Sequence, residues 1–220
     1  ITGSPQGDLI SGSGGKDIAT GSGDVIDAGL GNDIVDYDID ATTIDGGESA
    51  DTLRIIGKNS VIVDLTETGN SVNQVRTLSS DGQLSASSDA KVTNFENVDA
   101  SQASASITVI GTDADGSVSG PISVSGGISD DNLTTGSGND TIKGGLGNDT
   151  INASAGNDSL LGEDGDDILS GGKGSDTITG GFGSDTFIFM SSDLENGVTD
   201  TITDLQNGEN IGISPEVSWR

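Results

Sequence analysis

Single apolar residues recur every nine positions through the second half of the chain: Leu133, Ile142, Ile151, Leu160, Leu169, Ile178 and Phe187. Each sits between two more polar neighbours, as in Thr150-Ile151-Asn152. An extended chain points alternate side chains to opposite faces, so each triplet predicts a three-residue strand with one side chain inward. The intervening residues repeat as well. In Gly144-Gly145-Leu146-Gly147-Asn148-Asp149-Thr150-Ile151-Asn152 and its copies, Gly dominates the first, second and fourth positions, and Asp holds the sixth. Self-similarity at so short a period marks a solenoid, in which two loop-and-strand units make one flattened turn. Seven units run in register from Gly126.

Upstream the register is looser. Asp8 and Asp17 are nine apart, Asp17 and Asp24 seven, and Asp24 and Asp33 nine. A degenerate unit from Gly46 to Arg54 puts Asp51 eighteen residues after Asp33, with Leu53 in the apolar slot. Ile44 keeps that slot between them, although Thr42 replaces the Asp. From Ile55 to Ser125 the nonapeptide disappears, yet alternation in Val61-Ile62-Val63-Asp64-Leu65, Ile107-Thr108-Val109 and Ile122-Ser123-Val124 predicts strands. Repeat units flank this segment on both sides, which favours a wider solenoid over an inserted sandwich. Phe187-Ile188-Phe189, Asp200 to Leu205 and Ile211-Gly212-Ile213 predict a closing cap, with Trp219 packed on it. The expected fold is all-β, a parallel β-roll or β-solenoid in four regions: 1–54 degenerate roll, 55–125 irregular β, 126–189 main roll and 190–220 C-terminal β cap.

Composition narrows the chemistry. Acidic side chains outnumber basic ones 36 to 8, for a formal net charge of -28, so nucleic acid is a poor partner. With no Cys and no His, thiolate or imidazole zinc sites and histidine general bases are excluded. Only 30% of residues are hydrophobic, too few for an ordinary core, and no apolar run is long enough for a membrane span. The first ten residues lack the basic and apolar blocks of a cleavable signal, and residue 1 is Ile, so a piece of a larger polypeptide is expected.

The acidic residues are mostly Asp, and they sit beside Gly. Gly allows positive φ and close approach, so carbonyl oxygens can converge while the following Asp supplies a carboxylate. Oxygen donors without nitrogen or sulfur suit a hard cation, and calcium accepts such a flexible cage more readily than magnesium. An ion-free roll would stack carboxylates at the ~4.8 Å strand spacing, and their repulsion would oppose folding.

These residues resemble the RTX (repeats-in-toxin) calcium-binding nonapeptide family, specifically from Gly126 to Phe189 and more weakly from Ile1 to Arg54. The resemblance implies a parallel β-roll with each ion between units n and n+2. Carried onto this chain, it pairs Asp131 with Asp149, Asp140 with Asp158, Asp149 with Asp167, Asp158 with Asp176, and Asp167 with Asp185. Loop carbonyls would come from Gly136, Gly138, Gly145, Gly147, Gly156, Gly165, Gly172, Gly174, Gly181 and Gly183. In the first half the implied pairs are Asp33 with Asp51, Asp8 with Asp24 and Asp17 with Asp33, beside Gly31. About five to eight Ca2+ ions are expected on this pattern. Ser49 and Ser129 replace the fourth-position Gly, and Leu205 and Gly212 depart from the usual closing segment.

The function implied is a non-catalytic, calcium-binding structural module of a large secreted bacterial protein. An adhesin, a surface-layer protein or another exoprotein would fit. Type I secretion machinery would export it, and it would fold on calcium outside the cell. The alternative is a calcium-dependent recognition module for polysaccharide or a cell surface. Positions seven and nine offer mainly Thr, Lys143 and Asn152, with no aromatic platform for sugar stacking.

Overall fold

The computed structural model describes residues 9–11, 18–19, 25–37, 43–46, 50–57, 61–64, 74–77, 90–93, 97–111, 120–191, 193 and 197–214. Among these, every regular element is a β-strand, and the strands form two sheets. The twelve-stranded sheet runs, in spatial order, Leu9–Ser11, Val25–Asp27, Thr43–Asp45, Ala90–Thr93, Gln74–Thr77, Val61–Asp64, Ile107–Ile110, Asn132–Thr134, Thr150–Asn152, Ile168–Ser170, Thr186–Met190, Asn210–Ser214. The nine-stranded sheet runs Ile18–Ala19, Ile34–Tyr37, Thr52–Gly57, Asn97–Ala103, Ser123–Ser125, Thr141–Leu146, Ser159–Asp164, Thr177–Phe182, Thr201–Ile202.

From Ser123 onward the chain alternates strictly between the sheets, so two nonapeptides complete one coil of a flattened tube. Partners in one sheet are therefore eighteen residues apart: Leu133 beside Ile151, Ile151 beside Leu169, Leu169 beside Phe187. Ile142, Leu160 and Ile178 stack likewise across the tube. All of these side chains are buried, and the core of this region is two facing columns of single apolar residues. The expected parallel β-roll is present.

The middle widens the same architecture. Thr52–Gly57 pairs with Asn97–Ala103, which pairs with Ser123–Ser125, so the nine-stranded sheet passes through without a break. Four strands here bury more than one apolar residue each: Leu53 and Ile55, Val61 and Val63, Val98, Ala100 and Ala103, Ile107 and Val109. One strand of this irregular middle runs the other way. Gln74–Thr77 lies antiparallel to both Val61–Asp64 and Ala90–Thr93, a return strand inserted into the twelve-stranded sheet. Alternation reports that a segment is extended but not its direction, which is fixed by the reversal between Asp64 and Gln74.

The C-terminal segment adds another coil instead of a plug. Thr201 and Ile202 pair with Thr177 and Ile178, and Asn210–Ser214 pairs with Thr186–Met190, so the step lengthens to twenty-four residues. The strand expected over Asp200 to Leu205 is confined to Thr201–Ile202. Ile211 and Ile213 are 54% and 70% exposed. Trp219 lies outside the described residues.

Candidate metal centre

Each sixth-position Asp immediately precedes a strand, and alternation between sheets sorts these residues into two columns on opposite edges of the tube. Asp131, Asp149, Asp167 and Asp185 lead into the twelve-stranded sheet; Asp140, Asp158 and Asp176 lead into the nine-stranded one. All seven are buried. Within a column one carboxylate oxygen reaches back to the preceding coil. Asp149 Oδ1 accepts the N–H of Asp131 at 2.7 Å, Asp158 Oδ1 that of Asp140 at 2.7 Å, and Asp167 Oδ1 that of Asp149 at 2.7 Å. Asp176 takes the N–H of Asp158 at 2.9 Å, and Asp185 that of Asp167 at 3.0 Å. All five second-half pairs that the resemblance implied are thus brought together, and so is one of the three first-half pairs, with Asp33 N–H donating to Asp51 Oδ1 at 2.8 Å. Asp8, Asp17 and Asp24 lie outside the described residues.

The second oxygen carries the chemistry. Oδ2 of Asp140, Asp149, Asp158, Asp167, Asp176 and Asp185 is buried with no hydrogen-bond partner. A buried, unpaired carboxylate oxygen is costly, and that cost, repeated six times in register, is offset by a proton or by a cation. The space around it is shaped for one. A Cβ on Gly144 would lie 2.3 Å from Asp149 Oδ2 and 2.7 Å from the Gly162 carbonyl oxygen. On Gly162 it would lie 2.3 Å from Asp167 Oδ2 and 2.4 Å from the Gly180 carbonyl oxygen. Only Gly leaves this cradle open, and its lining is oxygen from two successive coils. Calcium, bonding oxygen at ~2.3–2.6 Å, fits such a donor set. Among the described residues no three Asp or Glu side chains converge on one point, as expected where backbone carbonyls provide much of the cage.

The second- and fourth-position glycines lie where successive coils touch. A Cβ on Gly145 would meet the Gly127 carbonyl oxygen at 2.2 Å, and one on Gly174 the Gly156 carbonyl oxygen at 1.6 Å. Positive φ is found at Gly31, Gly145, Gly147, Gly156, Gly165, Gly172, Gly174, Gly181 and Gly183. Gly136 and Gly138 do not take positive φ. At Gly138 the requirement is space, with the Gly120 carbonyl oxygen 2.2 Å from a built Cβ. Two second positions tolerate a side chain in the left-handed region, Ser154 at φ 69° and Glu163 at φ 79°. Ser154 is held there by its hydroxyl donating to the Thr135 carbonyl at 2.8 Å.

Burial pushes these carboxyls upward, and neighbours in the same column add to it. Asp149 rises to about 8, through burial first and then through Asp131 and Asp167, against the lowering effect of the Asp131 N–H. Asp158 rises to about 7, and Asp167 and Asp176 to about 6, for the same reasons. Asp131 and Asp185 are raised as well, again by burial first. Without a cation Asp149 and Asp158 resist ionising near neutrality; a divalent ion beside them reverses that preference.

Three features were not read from the spacing. The first-position glycines Gly144, Gly162, Gly171 and Gly180 face Oδ2 directly; their prevalence in the repeat was the signal. The fifth position forms a second ladder running the other way. Asn139 Oδ1 accepts the N–H of Asn157 at 2.9 Å, Asn148 that of Asp166 at 2.8 Å, and Asn157 that of Ser175 at 2.9 Å. In the cap, Asp200 Oδ1 accepts the Asp176 N–H at 3.0 Å, while Asp204 takes the N–H groups of Gly180 and Gly181 at 3.0 and 2.9 Å.

At the boundary with the middle segment the column changes character. The positions in register with Asp131 and Asp140 are Ile107 and Ile122, both buried, and their N–H groups donate to Asp131 Oδ1 and Asp140 Oδ1 at 2.7 and 2.8 Å. Among the described residues, no helix is long and apolar enough to cross a membrane.

No curated protein matches this chain. A family model described as the RTX calcium-binding nonapeptide repeat, in four copies, matches residues 125–160 and 153–187. The stretch from 125 to 187, with its two columns of buried aspartates, is therefore a block of RTX calcium-binding repeats.

Proposed function

We propose that this chain is a structural, non-catalytic module of a secreted bacterial protein, assembled by calcium after export. The observation that supports this most directly is the set of six buried aspartate oxygens without partners, four of which, on Asp149, Asp167, Asp176 and Asp185, face a first-position glycine. A chain with such columns gains little from folding where calcium is scarce and much where it is plentiful. Extracellular calcium modules work at dissociation constants of ~10⁻⁴–10⁻³ M, and ligand at ten times that value contributes ~1.4 kcal/mol per site. About five to eight ions then supply ~7–11 kcal/mol, the order of a whole domain's net stability of ~5–15 kcal/mol.

In this reading the ion ligands are the paired aspartates from Asp131 to Asp185 with their loop carbonyls, together with Asp33 and Asp51. Region 126–189 is the calcium-driven roll, and 55–125 is a widened, ion-poor part of the same solenoid. The parent is a large exported polypeptide such as an adhesin or a surface-layer protein, carried out by type I machinery in the unfolded state. The test is a calcium titration from a chelated sample, followed by far-UV circular dichroism with a magnesium control. A cooperative gain of β-signal with calcium alone is expected; a spectrum unchanged between chelator and saturating calcium would remove the proposal.

A further inference from the structure

The carboxylate column that begins at Asp131 continues past the last matched repeat. We propose that Glu209 is its terminal member, and that Asp185 and Glu209 hold a further calcium ion that fastens the closing coil to the roll. This rests on the calcium reading above.

The register places Glu209 where the repeat has Asp. The loops 180–185 and 204–209 have equal length and lie one above the other. Thr179 and Thr203, which precede them, share a 2.7 Å hydrogen bond between hydroxyls. After them, the N–H of Asn210 donates to the Asp185 carbonyl at 2.8 Å. The same bond recurs down the column, from Thr186 to Asp167 at 2.8 Å and from Ile168 to Asp149 at 2.9 Å. Glu209 therefore stands in the aspartate slot of the next coil.

Two oxygens at this level lack partners. Asp185 is fully buried; its Oδ1 accepts the Asp167 N–H, and its Oδ2 accepts nothing. Glu209 Oε2 accepts the N–H of Gln206, while Oε1 is buried and unpartnered. Among the described residues no basic side chain forms an ion pair with Asp185 or Glu209, so none neutralises this level. Two orphaned carboxylate oxygens on successive coils repeat the condition of the levels below. The loop differs in lacking glycine at its first, second and fourth positions, occupied by Asp204, Leu205 and Asn207. Asp204 is committed to the Gly180 and Gly181 N–H groups. The cage is thus less complete in carbonyls, and the additional methylene of Glu extends the carboxylate's reach. Oxygen donors alone again specify a hard divalent cation.

The experiment uses the full chain and Glu209→Gln, which keeps the side chain's size and its acceptor for the Gln206 N–H but removes the charge. Bound calcium is counted by elemental analysis after equilibrium dialysis, and hydrogen exchange is followed by strand across a calcium series. Glu209→Gln is expected to hold one ion fewer, and the 210–214 strand to need about tenfold more calcium for protection. Strands 141–146 to 177–182 should stay at the wild-type midpoint, which also shows that the variant folds. An unchanged ion count would overturn the proposal, whether protection of 210–214 stays the same or falls at every calcium concentration, the latter marking a purely structural role. If wild-type protein itself takes up no calcium and strands 141–182 show no calcium-dependent protection, the broader calcium reading fails as well, a result distinct from a defect confined to 210–214.

Discussion

The coils built from residues 131–187 and those built from residues 52–111 solve one stacking problem in two ways. In the repeat coils each strand contributes one column side chain to the core, and the edge between coils is a buried, ionisable carboxylate, set against glycine at Asp149, Asp167, Asp176 and Asp185. In the middle coils strands bury two or three apolar side chains, and the register positions of Asp131 and Asp140 are filled by Ile107 and Ile122. Apolar burial contributes roughly 25 cal/mol per Å² without any ligand, whereas a carboxylate column is repulsive until a cation enters. On the proposed reading, one region carries its stability in its side chains and the other takes it from the solution.

Substitutions should separate the two regions. Asp158→Ala has the largest expected effect, because Asp158 faces both Asp140 and Asp176. Losing its carboxylate from two intervals removes roughly 3 kcal/mol of calcium-linked stability at tenfold saturation and raises the calcium midpoint of folding, read by circular dichroism. Asp99→Ala, in the middle and bonded only to Ser101 in the same strand, should leave that midpoint unchanged. Equal shifts would break the comparison.

Gly162→Ala comes next. Its Cβ would press on Asp167 Oδ2 and the Gly180 carbonyl oxygen, and forcing such a contact costs about 1–3 kcal/mol. Calorimetric titration should show weakened binding at the neighbouring levels, while Gly120→Ala, with nothing within 4 Å of its Cβ, should bind as wild type. Val109→Ala sharpens the other side. It should lower stability by about 2 kcal/mol in denaturant, with or without calcium, and leave the calcium midpoint in place.

The smallest effect is that of pH on the chelated protein. Burial raises Asp149 to about 8 and Asp158 to about 7, above the carboxylate value of 3.8. A raised folded value means that the folded state binds more protons, so this contribution is present below about pH 4 and is lost as pH rises toward 8. Chelated protein should regain β-signal on acidification from pH 8 to 5. Calcium affinity should move the opposite way, rising with pH because the ion displaces those protons.

Much of this was legible in the chain. A nine-residue period is local, so the apolar column, the aspartate column and the eighteen-residue pairing could be read without coordinates. The fifth-position ladder was hidden because Asn before Asp is also ordinary turn chemistry. The antiparallel strand Gln74–Thr77 was hidden because alternation does not encode direction. Glu209 was hidden twice over, by a step of twenty-four residues instead of eighteen and by a residue type absent from the sixth position of the repeat. In each case the missing information was a contact between coils.

The most direct test of calcium as the organiser of one region and not the other is strand-resolved hydrogen exchange on the full chain, in saturating calcium and in chelator. With calcium, amides of Thr150, Ile168 and Thr186, which bond to Asp131, Asp149 and Asp167, should be protected alongside those of 107–110. In chelator the first group should exchange freely while 107–110 keeps measurable protection. Equal protection of residues 131–187 in both solutions would contradict the division drawn here between the two regions.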